Sequence, residues 1–353
     1  MGEVQLLVDG RRYGGWTSVR ITQSVETIAG SFSLDVTDRW TEAGLPWPIR
    51  EEDPCQVLLD GEVVIDGYVD RRHPSFDAQQ RAVAITGRDR AAILVDSSAV
   101  LDRWSFRNAS VLDVARKVCE PFGIGVTLQA GLTLPAPPRK MAVNPGDTAY
   151  AVIERAAAAA GVLVVSDGAG GIMITRAGTV RAAPLVEGGN LLAGELEYNA
   201  EERYGRYVVV TQSAGTDNAS GGATRVRAEA VDEGVRRAER VLLVRPENGI
   251  TTDYARQRAD WEARVRAARA ETARVSVQGW KQPNGARWPI NALAAVRSPT
   301  LGVNGDLLIA QVDYSLSAAG EVTQLSLVRP DAYTPEPAAK VRKSKGERWK
   351  ELG

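Results

Sequence analysis

The chain has 353 residues, with 43 basic against 44 acidic side chains and a formal net charge of −1. That balance lacks the basic excess expected of a nucleic-acid-binding domain, and the length implies two or three domains at roughly 100–200 residues each. Two cysteines (Cys55 and Cys119) and one histidine (His73) exclude a disulfide-stapled scaffold, a multi-cysteine metal cluster and any zinc site that needs two histidines.

The first ten residues have no basic region and no long apolar stretch, so they do not read as a signal peptide. The most apolar window, Ala156–Ser166, is shorter than the ~20 residues a membrane helix needs. A soluble protein made in a reducing cytoplasm is expected, its two thiols serving as small buried hydrophobes. Val4–Val8 leads into Asp9-Gly10, a hairpin dipeptide, and Ser18–Val25 and Ser31–Val36 alternate, which points Phe32, Leu34 and Val36 at one core. Val57-Leu58-Leu59, the turn Asp60-Gly61 and Val63-Val64-Ile65 form a second hairpin, and Ala82–Thr86 closes the run. Short strands at this spacing predict a sandwich or barrel over 1–95.

From 96 to 195 the pattern becomes α/β. Ser110 and Asp113 resemble a capping box opening a helix that stops by Pro121, and Ile124–Leu128 reads as a strand. Pro145-Gly146-Asp147-Thr148 opens an alanine-rich helix ended by Gly161, followed by the strands Val162–Val165 and Ile172–Ile174 around the turn Asp167–Gly171. Strands resume over 196–333, at Tyr207–Thr211, Arg225–Ala230, Val241–Val244, Glu271–Gly279, Leu307–Leu316 and Val322–Val328. One arginine-rich helix near 253–270 interrupts them, with Tyr254, Trp261, Val265 and Ala268 at helical spacing. The tail, 334–353, is expected to be flexible and basic. Six basic groups (Lys340, Arg342, Lys343, Lys345, Arg348 and Lys350) stand against three acidic ones from Glu336 on, and suggest binding to an acidic partner surface.

The most informative feature is a duplication. Glu26-Thr27, Trp47-Pro48-Ile49, Val63-Val64-Ile65 and Arg88-Asp89 recur in order as Glu271-Thr272, Trp288-Pro289-Ile290, Leu307-Leu308-Ile309 and Arg329-Pro330-Asp331. The Trp-to-Ile distance is 18 residues in one copy and 21 in the other, and Asp60-Gly61 and Asn304-Gly305 read as matching turns. The fold class is therefore mainly β with a small α/β insert, with two pseudo-repeated β-barrels in one chain. Three such chains in a ring would present six similar barrels, which is how a threefold object mates with a sixfold one.

No constellation for chemistry emerges. His73, in Arg71-Arg72-His73-Pro74, reads as a polar loop residue without a Gly-x-Ser-x-Gly elbow, and Glu51-Glu52-Asp53 reads as a turn. Gly168-Ala169-Gly170-Gly171 lacks the helix that a phosphate cradle needs. Gly-Asp-Thr at 146–148 also occurs in peptidoglycan-binding LysM modules, but a helix cap accounts for it. Catalytic residues, cofactor and metal ligands are expected to be absent.

Asp66-Gly67-Tyr68-Val69 leading to Gly87-Arg88-Asp89, Pro145–Tyr150, Ile172–Gly178, Trp288-Pro289-Ile290 and Leu327–Asp331 together carry a resemblance. The chain resembles the baseplate hub proteins of Mu-like contractile-tailed phages, related to the hub region of VgrG secretion spikes. The resemblance covers nearly the whole chain, Val4 to about Tyr333. It implies a homotrimer of tube domains that joins the sixfold tail tube, or an adjoining distal tail protein, to a trimeric membrane-piercing spike. Baseplate wedge proteins would be further neighbours, and the genome would pass through the bore without sequence-specific contact. The alternatives are a peptidoglycan-binding or glycan-cleaving tail component, or a VgrG-like spike hub.

Overall fold

The computed structural model describes residues 2–37, 49–78, 81–178, 180–212, 225–246, 251–318 and 320–337. These form two compact units, Met1–Leu196 with Ala273–Leu327, and Glu197–Thr272 with the described residues from Val328.

The first barrel is built from Val4–Val8 (β1), Arg11–Tyr13 (β2), Ser18–Ser24 (β3), Ser31–Thr37 (β4), Pro54–Leu59 (β5), Glu62–Phe76 (β6) and Arg81–Asp89 (β7). Asp60 and Gly61 both have positive φ (51° and 81°), the two-residue geometry that matches the twist of flanking strands and closes β5 onto β6. The alternation in β4 works as expected, with Phe32, Leu34 and Val36 buried. One expectation is corrected here: Arg71–Pro74 is not a loop, because β6 runs through it to Phe76. Beyond Val69, among the described residues, the strand has a ladder partner on one side only, β7, and a half-edge position tolerates a proline.

The insert follows as Ile93–Asp96 (α1), Ser105–Phe106 (β8), Val111–Cys119 (α2), Val126–Leu128 (β9), Met141–Ala142 (β10), Ala149–Ala160 (α3), Leu163–Ser166 (β11) and Ile172–Thr175 (β12). The capping box is present: Ser110 Oγ accepts from the Asp113 amide, and the Asp113 carboxylate accepts from the Ser110 amide. Gly161 takes the left-handed conformation that ends α3 (φ 64°). β11, β12 and β9 make a three-stranded sheet, and Val114, Val118, Val152, Ile153, Ile172 and Ile174 fill the core beneath the helices.

Next come Val180–Arg181 (β13), Leu185–Val186 (β14) and Leu191–Tyr198 (β15). The second unit then intervenes. Arg206–Gln212 (β16), Arg225–Val231 (β17) and Val241–Val244 (β18) pair in the order β17-β16-β18, and Thr252–Arg269 (α4) supplies Tyr254, Ala255 and Ala259 to a core with Tyr207, Val209 and Ala230. Sequence reading assigns these three strands to the second barrel; the structure gives them a sheet of their own, with α4 as its cover.

The barrel strands return as Glu271–Gln278 (β19), Ala292–Ser298 (β20), Val303–Ser317 (β21) and Gly320–Val328 (β22). The duplication is visible in the topology. β4-β7-β6-β5 and β19-β22-β21-β20 are the same strand order, and each copy has one 15-residue strand, β6 between β7 and β5, and β21 between β22 and β20. Ala273, Val275 and Val277 alternate into the core along β19 as Phe32, Leu34 and Val36 do along β4. Two sequence matches are not structural equivalents. Asn304-Gly305 lies inside β21, paired with Arg297 and Val296, and the turn is at Pro299–Gly302. Glu26-Thr27 lies between β3 and β4, whereas Glu271-Thr272 begins β19. The two copies form one continuous 14-stranded sheet, joined where Gln311–Leu316 of β21 pairs antiparallel with Val19–Ser24 of β3.

Candidate functional site

The repeat motif makes a joint rather than a reactive centre. Trp288 is 2% exposed, and its backbone carbonyl accepts a hydrogen bond from the Tyr314 hydroxyl at 2.6 Å. Arg287 beside it donates to the Val63 carbonyl (3.2 Å) and faces Glu62 (3.5 Å), which ties the second copy to β6 of the first. Trp288, Pro289 and Ile290 line an open cleft of about 460 Å³, with Gln23, Val64 and the insert's Asp167-Gly168 on its other walls. A cleft this open, with few converging polar groups, is a packing seam more than a ligand pocket. Of the first copy, Ile49 is buried, while Trp47 and Pro48 lie outside the described residues.

Asp89 makes a second joint, which sequence reading treats only as the end of a motif. It is 1% exposed; its carboxylate accepts from the Gly30 amide (2.7 Å) and the Ala91 amide (2.9 Å), fastening β7 to the β3–β4 connection and to the start of the insert. Burial pushes its pKa up to about 6, against the opposing pull of hydrogen bonds from Ser166, Gly30 and Ala91. An acid whose folded pKa is raised contributes stability that is fully present below its unfolded value and is lost as pH rises through the folded one. Between pH 4 and 6.5 the wild type is therefore expected to lose up to about 3 kcal/mol relative to Asp89→Asn. Urea midpoints across that range check this, and parallel profiles for the two proteins would contradict it.

The remaining candidates resolve individually. His73 is exposed on the outer half of β6. Cys55 and Cys119 are buried, and burial pushes both thiols up to about 12, so neither is a nucleophile at neutral pH. In Gly-Asp-Thr, Thr148 caps α3 through the Ala151 amide, and Asp147 accepts from the Asn144 amide and from Arg155. Asp167 closes the Gly168–Gly171 hairpin by accepting from the Ala169 and Gly171 amides. The arginines of α4 are partly used within it: Arg258 and Arg266 both bond Glu262, which is 5% exposed. Sequence reading does not single out Glu262; its arginines at i−4 and i+4 are the signal that could have placed it in the packed face. Among the described residues no group of three or more His, Cys, Asp or Glu could hold a metal ion. Lys340, Arg342, Lys343, Lys345, Arg348 and Lys350 lie outside the described residues.

Comparison with known proteins follows this division. Residues 3–89 match the N-terminal domain of Mu phage baseplate assembly protein GpP-like proteins, 91–176 the second domain of baseplate hub protein gp44-like proteins, and 251–336 the fourth domain of Mu phage baseplate assembly protein GpP. Baseplate hub protein gp44 of Escherichia phage Mu is 28% identical over 344 residues, covering 94% of this chain and 88% of that protein. The crystal structure of the 43 kDa tail protein of the Shewanella oneidensis prophage MuSo2 superposes with a TM-score of 0.84 at 32% identity, over 95% of this chain and all of that one. The tail protein from Neisseria meningitidis MC58 shares the fold at a TM-score of 0.80 and 21% identity, over 95% and 98% of the two chains. A relative this similar along its whole length, with matching domains in the first barrel, the insert and the second barrel, shows that the chain belongs to the family of Mu-like phage baseplate hub proteins.

Proposed function

We propose that three copies of this chain close into a ring whose six barrels face the sixfold tail tube on one rim and a trimeric spike on the other. The role is that of a structural baseplate hub, and its place is the tail baseplate of the virion. The observation that carries the symmetry-adapting part is the repeated strand order, β4-β7-β6-β5 and β19-β22-β21-β20. A chain that holds two alike barrels supplies six near-equivalent positions from three subunits, while its insert and second unit keep true threefold symmetry. Interfaces that bear the load of contraction call for a large, permanent contact, on the order of 2,000 Å² or more.

The purified protein is expected to scatter light as a species of three times 37.9 kDa, about 114 kDa, and to bind one trimeric spike. A chain that stays monomeric both alone and with the spike would overturn the ring.

A further inference from the structure

The seam between the two copies within one chain has a counterpart left open at both of its halves. β21 pairs with β20 through Val303–Leu308, and further along with β3 through Gln311–Leu316. Its partner in the repeat, β6, pairs with β5 only as far as Tyr68, with two more backbone hydrogen bonds between Val69 and Glu52 and Asp53. Beyond that point, among the described residues, β6 has no neighbour on the β5 side, and Arg71, His73, Pro74, Ser75 and Phe76 are exposed. The counterpart of β3 is β15, which precedes β19 as β3 precedes β4. It ends the order of strands in the sheet, with β19 as its one ladder neighbour there.

We propose that the open edge of β6 pairs antiparallel with β15 of the next copy, repeating between chains the β21–β3 seam found within one. This rests on the trimeric ring proposed above and names the contact that closes it. Three features of the two edges fit one another. The first is exposed apolar surface: Phe76 (85%) and Tyr198 (70%) are the most exposed large hydrophobic residues described, one on each strand, and Leu192 (56%) adds to the β15 edge.

The second is facing. Arg72 pairs across β7 with the fully buried Ile85, so Arg72, Pro74 and Phe76 share the core face, and Arg71, His73 and Ser75 the opposite one. On β15, a side chain at Gly194 would meet Val275 and Leu301, so Leu192, Gly194 and Leu196 share the core face, with Glu195 and Glu197 opposite. The register of the internal seam then sets Phe76 over Gly194, flanked by Leu192, and His73 beside Glu197.

The third is charge. In the internal seam the acid is on β21 and the base on β3: Asp313 accepts from Thr22 and faces Arg20 at 3.4 Å. On the open edges the signs are reversed, with Arg71 and His73 on β6 and Glu195 and Glu197 on β15. The reversal favours β6 with β15. On β21 with β15 it would set Asp313 beside Glu195, and because β21 and β3 are already joined within each chain, pairing β6 with β15 makes the two barrel types alternate around the ring.

A disulfide between Ser75→Cys and Glu195→Cys, set opposite each other by this register, tests the pairing in the full-length chain. Mild oxidation is expected to convert the double variant into a covalent trimer on a non-reducing gel, while wild type and both single variants stay at 37.9 kDa. Arg71→Glu with His73→Glu is expected to drop the scattering mass from about 114 to about 38 kDa, and adding Glu195→Lys and Glu197→Lys to restore it. A trimeric double-cysteine variant that forms no covalent product, with charge reversal leaving the trimer intact, would overturn the strand pairing and leave the ring standing. A wild type that never trimerises, with or without spike, would overturn both.

Discussion

Gly87→Ala is expected to leave the protein largely unfolded or insoluble, a loss of about 3 kcal/mol or more, although it adds one methyl group. A Cβ at residue 87 would fall on the carbonyl oxygen of Tyr68, a backbone atom of the neighbouring strand, and within 2.6 Å of the Phe32 ring. Gly67 faces the same constraint from the other strand: its Cβ would fall on the Arg88 carbonyl and lie 2.6 Å from the Asp89 Cα. Side chains can rotate away from an intruding methyl, but ladder carbonyls cannot move without breaking pairing on both sides. Gly305→Ala is the control, since nothing lies within 4 Å of that position in the second copy, and its effect should stay within ±0.5 kcal/mol. Denaturation midpoints of the three proteins decide the matter; a Gly87→Ala variant that melts with wild type would refute it.

Trp288→Ala is expected to cost about 3–5 kcal/mol, the range for emptying a large aromatic from a packed interior. The indole is buried in the cluster shared by both barrels, so its loss loosens the seam between the copies as well as one strand. Tyr314→Phe should cost less, about 1–2 kcal/mol, because it deletes only the hydrogen bond to the Trp288 carbonyl and leaves the ring in place. Urea unfolding of both variants against wild type gives the comparison. Equal costs would mean that the hydrogen bond, not the packed indole, holds the joint.

Local signals in the sequence translated into structure where a short stretch decides its own geometry. Asp60-Gly61, the Ser110–Asp113 box, Gly161 and the alternation of Phe32, Leu34 and Val36 each depend on a few neighbouring residues. The misread elements are those where tertiary pairing overrode a local cue. Asn304-Gly305 has turn chemistry, yet the ladder with β20 holds it in a strand. His73-Pro74 has loop chemistry, yet β7 draws it into β6. Tyr207, Val209 and Ala230 look like barrel strands because alternation reports one buried face without saying what covers it, and here that cover is α4. The Trp-Pro-Ile motif marked the joint, but Arg287, which bonds across it to Val63, carries no motif of its own, and Arg88-Asp89 marked the end of a strand without showing that Asp89 fastens a second joint.

The internal seam also constrains how the chain matures. Ser24 meets Gln311, so the outer edge of β3 finds its partner only after nearly 290 further residues have been synthesised. Contacts this distant in sequence form late and slowly. Until then a growing chain carries an unprotected strand edge, the surface on which nascent chains join one another. Translation that stops before residue 303 leaves the first barrel with an open side and without part of the core it shares with the second, so shortened products should gather into aggregates rather than persist as a smaller soluble barrel. Sealing that side comes late in synthesis, and it stitches segments nearly 290 residues apart into one sheet.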